Sequence, residues 1–205
     1  MSSITLFHAS PSRSFVVLWM LEEIGEPYEI KLLRLSDGDQ RKPDYLAINP
    51  MGKVPALKHG DTVITEVAAI CAYLADEFPG VGLNVPVGNT RRGLYFQWLF
   101  YGPGVLEPAM TDRAFPRKEQ PPATALGYRE LDVVLDVVAK PLASNPYLMG
   151  SRFTAADIVL GSGLRFATTF KLIPERPLFS DYFSRLITRP AFRRAEAKDK
   201  ELGSK

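Results

Sequence analysis

The stretch Asn49-Pro50-Met51-Gly52-Lys53-Val54-Pro55-Ala56-Leu57, followed shortly by Thr65-Glu66-Val67, decides how this chain folds. Asn49 to Gly52 is turn chemistry. Val54 to Lys58 then reads as a strand with a proline near its start, and His59-Gly60-Asp61-Thr62 turns it back into a second strand, Val63-Ile64-Thr65. Pro55 removes a ladder donor. A cis bond before it is one solution, and it would turn the backbone of Val54 outward to pair with a peptide-like ligand as an added strand. An edge-strand proline with no ligand is the other solution. Thr65-Glu66-Val67 opens a helix over 66–78, with Ala69, Ile70, Tyr73 and Leu74 at 3-4 spacing. Free N–H groups at such a helix start attract a carboxylate, and Glu66 offers an acceptor to an ammonium group. A ligand carrying both groups on one carbon fits; plain capping by Thr65 and dipole complementation by Glu66 also account for these residues.

Upstream, Ile4 to His8 is β-prone and is closed by Ala9-Ser10-Pro11. Phe15 to Gly25 is too long for an ordinary strand and apolar on most sides, which predicts a largely buried helix. Tyr28 to Leu33 alternates as a strand. Leu35 to Lys42 reads as loop, and Pro43 to Ala47 as a short helix. The serines of Ser10-Pro11-Ser12-Arg13-Ser14 stand where the first strand hands over to the first helix. A hydroxyl there can donate to a bound thiolate and lower the thiol's pKa; capping and turn formation are its structural alternative. The order β-α-β-(α)-β-β-α predicts an α/β domain of residues 1–80. The Gly/Pro-rich segment 81–90 reads as a linker, and 91–205 as an all-helical domain.

In that second part, helices are expected over 92–101, 124–142, 155–169, 179–188 and 191–200, with a disturbance at Gly102-Pro103-Gly104 and a proline-rich loop over 113–122. Thr154 and Asp157 have capping-box spacing, a structural signal to which no chemistry attaches. Tyr95, Phe96, Trp98, Phe100 and Tyr101 share helical spacing. They serve the core, or in part line an apolar substrate site.

The 205 residues suit two modest domains. A net charge of +2 gives no reason to expect nucleic acid or a membrane as partner. A single cysteine, Cys71, excludes an intrachain disulfide and CxxC chemistry, and two histidines, His8 and His59, leave little for a metal site. Cys71 reads as inert packing and His8 as scaffold or pocket wall. No stretch is long and apolar enough for a membrane span, and the first residues lack the pattern of a signal peptide. A cytoplasmic protein without a metal is expected.

Taken together, these segments resemble the cytosolic glutathione S-transferase family, of a serine-type, bacterial-like kind. The resemblance covers nearly the whole chain. It is carried by Asn49 through Leu57, Thr65 through Leu74, Phe153-Thr154-Ala155-Ala156-Asp157, and Trp19 through Tyr28. It implies a thioredoxin-like domain followed by a helical bundle, glutathione as co-substrate, conjugation to a small apolar electrophile, a role in detoxification, and a homodimer. It also implies roles: Val54 pairs with the cysteinyl backbone, Pro55 is the cis proline, Lys53 and Gln40 lie toward the glycyl end, and Glu66 meets the γ-glutamyl amine and the N–H of Val67 its carboxylate. Ser10 is the first choice for the thiol and Ser12 the second, while Ser14 is expected to cap the helix.

The chain departs from the family pattern twice. Val67 replaces a serine whose hydroxyl also binds the ligand, a loss of about 1.5–3 kcal/mol for one charge-assisted hydrogen bond. Phe7 stands near where tyrosine-type members carry their catalytic hydroxyl. Glutathione-dependent reduction of disulfides or peroxides, and a non-catalytic interaction protein that kept the fold, are the alternative functions.

Overall fold

The structure is a computed structural model and describes residues 3–204. By compactness the chain divides into two units, Met1–Val81 together with Thr188–Lys205, and Gly82–Ile187.

The first unit is built on a four-stranded sheet of order β2-β1-β3-β4, from β1 (Ile4–His8), β2 (Glu29–Leu32), β3 (Ala56–His59) and β4 (Thr62–Thr65). β1 and β2 run parallel; β3 is antiparallel to β1, and β4 to β3. The ladder starts at Ala56 rather than Val54, because Pro55 has no N–H to give it. Helices α1 (Ser14–Ile24), α2 (Pro43–Leu46) and α3 (Val67–Glu77) complete the thioredoxin-like arrangement.

α1 is buried on nearly every face, as its composition predicts. The sheet and α3 cover part of it; the rest is covered by the last helix, α9 (Pro190–Gly203). This differs from the expectation that all of 91–205 forms one helical domain. The edge of Phe192 packs on Trp19, with ring centroids 5.0 Å apart, and also on Phe15. Arg189 forks onto both carboxylate oxygens of Glu23 at 2.6 and 2.8 Å. The Glu22 carboxylate, nearly buried, accepts from Lys198, Tyr28 and Arg194. Burial pushes the Glu22 carboxyl up, but the hydrogen bonds from Lys198, Tyr28 and Arg194 outweigh it and hold it below its usual value of 4.5. A depressed carboxylate adds stability above its unfolded pKa, and the gain is lost as pH falls through the folded one. The melting temperature of the wild type is therefore expected to drop below about pH 4.5, and Glu22→Gln should flatten that acid limb; equal acid limbs would show that Glu22 does not hold α9.

The second unit is helical: α4 (Arg92–Tyr101), α5 (Glu107–Ala114), α6 (Leu131–Leu142), α7 (Ala155–Thr169) and α8 (Pro177–Ile187). Gly102-Pro103-Gly104 does not break the chain there. It widens one turn, Gly102–Leu106, to π geometry, and α5 follows directly. The helix expected from Thr124 begins seven residues later, at Leu131. Leu126 and Glu130 are extended, and Gly127 between them is a poor helix former. Tyr95 and Trp98 are core, whereas Phe100 is exposed. The Thr154–Asp157 capping box forms, and the buried Asp157 carboxylate also accepts the Leu148 N–H and the Tyr182 hydroxyl, both at 2.9 Å.

Candidate functional site

Strand direction gathers the sequence-predicted residues at one end of the sheet. β1 ends at His8 and runs into Ala9-Ser10; its parallel neighbour β2 ends beside it and runs into the loop that holds Gln40. β3 begins at that same end, directly after Val54-Pro55. The hairpin register ends at Ala56 with Thr65, so Val54-Pro55 just before β3 and Glu66-Val67 just after β4 lie at the same end of the sheet. Ser10, Gln40, Lys53, Val54, Pro55, Glu66 and Val67 thus come from four strand ends that meet on one side.

Each is fixed by local chemistry. The Val54–Pro55 peptide is cis, as is Ser10–Pro11. The carbonyl of Lys53 accepts from the Tyr45 hydroxyl at 2.6 Å and the Asn49 side-chain amide at 2.7 Å, which pins the chain just before Val54. The Asn49 side chain also accepts the Met51 N–H, closing the turn. Val54 packs its side chain on the cluster of Phe7, Leu33, Tyr45 and Ala56. Gly52 has φ +61°, and a Cβ on it would lie 2.9 Å from the carbonyl oxygen of Gln40. Glycine there lets the Gln40 loop close onto the turn. Asp39 holds that loop from within, accepting from Lys42 and from the Arg34 N–H. The Gln40 side-chain oxygen is buried with no partner in the protein.

Glu66 is exposed and stands before the first turn of α3 with φ 68° and ψ 119°. Only one other non-glycine residue among those described, Lys171, has positive φ. Such a conformation costs about 1–3 kcal/mol and persists where the surroundings impose it, often at functional sites. It leaves the first N–H groups of α3, with Val67 foremost, facing the sheet end with the macrodipole behind them.

The serines separate in role. Ser12 accepts the Ser14 N–H at 3.0 Å and lies 2.6 Å from the Ser14 hydroxyl, so its side chain takes the first N–H of α1, whose N-cap position is Arg13. Ser14, expected to cap the helix, is fully buried and turns back to Ala9 and to Nδ1 of His8. Ser10 lines a cleft of about 460 Å³ with Pro11, Leu32 to Ser36, Leu202 and Gly203. Gln40, Lys53, Val54, Glu66 and Val67 stand outside that cleft's lining. A Cβ on Gly203 would come within 2.9 Å of the Ser10 oxygen, so the end of α9 closes on that hydroxyl. Phe7 is core, its ring tilted against that of Tyr45 with centroids 5.7 Å apart. Cys71 is fully buried, and burial drives its thiol far up, out of reach of chemistry near neutrality.

Tyr45, Gly203 and the contact of His8 Nε2 with Asp199 at 3.0 Å are features that sequence patterns do not assign to the site; Asn49 reads in the sequence only as turn chemistry. Among the described residues, no group of three or more His, Cys, Asp or Glu is placed to hold a metal ion, and no helix is long and apolar enough to cross a membrane.

Residues 2–76 match the family model of the glutathione S-transferase N-terminal domain, and residues 100–190 that of its C-terminal domain. The chain is 35% identical over 176 residues to glutathione S-transferase GstA of Escherichia coli O157:H7, covering 82% of this chain and 84% of that one. The crystal structure of a glutathione transferase from Methylococcus capsulatus superposes with a TM-score of 0.79 at 32% identity, covering 96% of this chain and 98% of that one. The glutathione transferase URE2P6 of Phanerochaete chrysosporium, solved in complex with oxidized glutathione, does so with a TM-score of 0.80 at 25% identity and 98% coverage of both chains. Two matching domain models in order, with relatives above 30% identity along most of the chain, place this chain in the glutathione S-transferase family.

Proposed function

We propose that this glutathione transferase binds glutathione across the sheet end and directs its thiolate at a small apolar electrophile. The observation that carries the reading is the convergence of Ser10, Val54-Pro55 and Glu66-Val67 at one end of the sheet. The residues present fit a γ-linked tripeptide. Val54 stands before the ladder with main-chain groups that can pair with the cysteinyl backbone. The ammonium of Lys53 suits the glycyl carboxylate, and the Gln40 loop lies at the same end of the sheet. Glu66 meets the α-amine, and the first N–H groups of α3 meet the α-carboxylate.

Glutathione supplies the sulfur nucleophile. The protein positions it and favours its charged form. Ser10 is the hydroxyl that donates to the sulfur, because the Ser12 oxygen accepts the Ser14 N–H and its hydroxyl pairs with that of Ser14 while no thiol proton is being transferred. On this reading the protein is of serine type and, as membership of the family suggests, a cytoplasmic homodimer. With an activated aryl halide as electrophile, Ser10→Ala is expected to lower kcat about 10²-fold with the glutathione KM little changed. Unchanged kcat would remove Ser10 from the mechanism.

Val67 favours a second reading. It offers an N–H but no hydroxyl, as a binding protein that kept the fold would. Such a protein would show no transfer at any glutathione concentration.

A further inference from the structure

We propose that Ser12, Ser14, His8 and Asp199 form a proton relay that takes the proton of a bound thiol from the sheet end to His8. The inference rests on the glutathione reading above. The four side chains come from the loop after β1, the start of α1, the end of β1 and α9. The Ser12 and Ser14 hydroxyl oxygens are 2.6 Å apart, Ser14 is 2.8 Å from Nδ1 of His8, and Nε2 of His8 is 3.0 Å from Asp199. That last N–H does not point squarely at the carboxylate oxygen, yet neither atom has another partner.

Counting donors gives the chain one direction. An imidazole nitrogen facing a carboxylate carries the proton, so Nε2 is the donor and Nδ1 the acceptor. Ser14 accepts the Ala9 N–H and donates to Nδ1, the Ala9 carbonyl at 3.1 Å being its longer alternative. Ser12 accepts the Ser14 N–H and donates to the Ser14 oxygen. One lone pair of Ser12 is left, on a residue that is partly exposed and next to the cleft-lining Ser10 and Pro11. The relay therefore runs from the Ser12 oxygen, which adjoins but does not itself line the cleft, to a carboxylate. Packing alone does not call for it: His8 and Ser14 are fully buried, where apolar side chains would carry no desolvation cost.

In the step, the S–H proton passes to Ser12 as Ser12's own proton moves to Ser14 and Ser14's to Nδ1 of His8. Sulfur is left as thiolate and His8 as imidazolium beside Asp199. The reverse transfer returns the proton when product leaves, and no electrons change hands. The side chains in contact with the His8 ring are Ser14 from α1 and Asp199 from α9; β2 meets only the main chain of His8, the Leu33 N–H donating to its carbonyl. Among the described residues, Asp199 is the one charged group within ion-pair reach of His8. Ser10 keeps its separate task of donating to the thiolate.

The test is a glutathione titration at neutral pH in buffers of differing ionisation enthalpy, which counts protons released, with thiolate absorbance read on the same samples. Wild type is expected to form more thiolate than it releases protons. In His8→Gln and Asp199→Asn the bound thiol should ionise at higher pH and release whatever proton it loses. Their kcat should fall about tenfold or more while glutathione affinity stays within about twofold, and Asp199→Glu should recover part of the loss. If His8→Gln does not fold, Asp199→Asn, altered at a partly exposed carboxylate, carries the test alone. A full proton released per thiolate by wild type, with an unshifted profile in Asp199→Asn, overturns the relay. A wild type that binds no glutathione overturns instead the reading on which the relay stands.

Discussion

Replacing Asp157 by alanine is expected to destabilise the protein by about 3–5 kcal/mol. The carboxylate is fully buried at the start of α7 and accepts four bonds: the Leu148 N–H, the Thr154 N–H, the Thr154 hydroxyl and the Tyr182 hydroxyl. Burial raises its pKa to about 6 even against those donors. Truncation leaves several buried donors without an acceptor at once. Each costs about 1–3 kcal/mol, and the sum is less than additive because they share one partner. At about 2–4 °C per kcal/mol for a chain of this size, the melting temperature should fall by roughly 10 °C. Asp157→Asn should not rescue it. Either orientation of the amide sets its NH2 against donors, Thr154 on one side or Leu148 and Tyr182 on the other. A thermal melt of both variants checks this; a loss of only a degree or two would mean that the carboxylate is not the hub of this unit.

The second large effect concerns Glu66, where two consequences of one substitution have opposite signs. Glu66→Gly removes the side chain proposed to meet the α-amine, at an expected cost of about 1.5–3 kcal/mol in glutathione binding, or ten- to a hundredfold in affinity. The same change relieves a backbone that glutamate holds at φ 68°. Glycine adopts that region freely, so the variant should match or exceed the wild type in stability, by up to about 1 kcal/mol. A variant that is no less stable and yet binds poorly cannot be explained by damage to the fold. Val67→Ser should act the other way and tighten glutathione about tenfold, by restoring a hydroxyl at the helix start.

The parts of this site legible in the sequence are those made by neighbours along the chain. The turn at Asn49 to Gly52, the proline after Val54 and the acidic start of α3 announce themselves within a few residues, because turn and cap chemistry is local. What stayed hidden depends on contacts across the chain. α1 reads as buried on most faces, but nothing in its own sequence says that α9 supplies the cover. That docking rests on Arg189 with Glu23, and on Arg194 and Lys198 with Glu22, pairs separated by more than 160 residues. Exposed-looking charges on α9 read as an ordinary solvated face until those partners are known. His8 looked like scaffold for the same reason, since Asp199 lies at the far end of the chain. The late start of α6 is a different failure: Leu126 fits the apolar spacing of the helix, yet Gly127 and the extended backbone around it keep that residue outside.

The central claim is that glutathione lies across the sheet end with its γ-glutamyl group at Glu66. A calorimetric titration of glutathione into wild type and Glu66→Gly tests it most directly. The account predicts saturable binding by wild type, weakened about ten- to a hundredfold in a variant that melts no lower. Equal affinities in the two proteins, or no binding by the wild type, would contradict it.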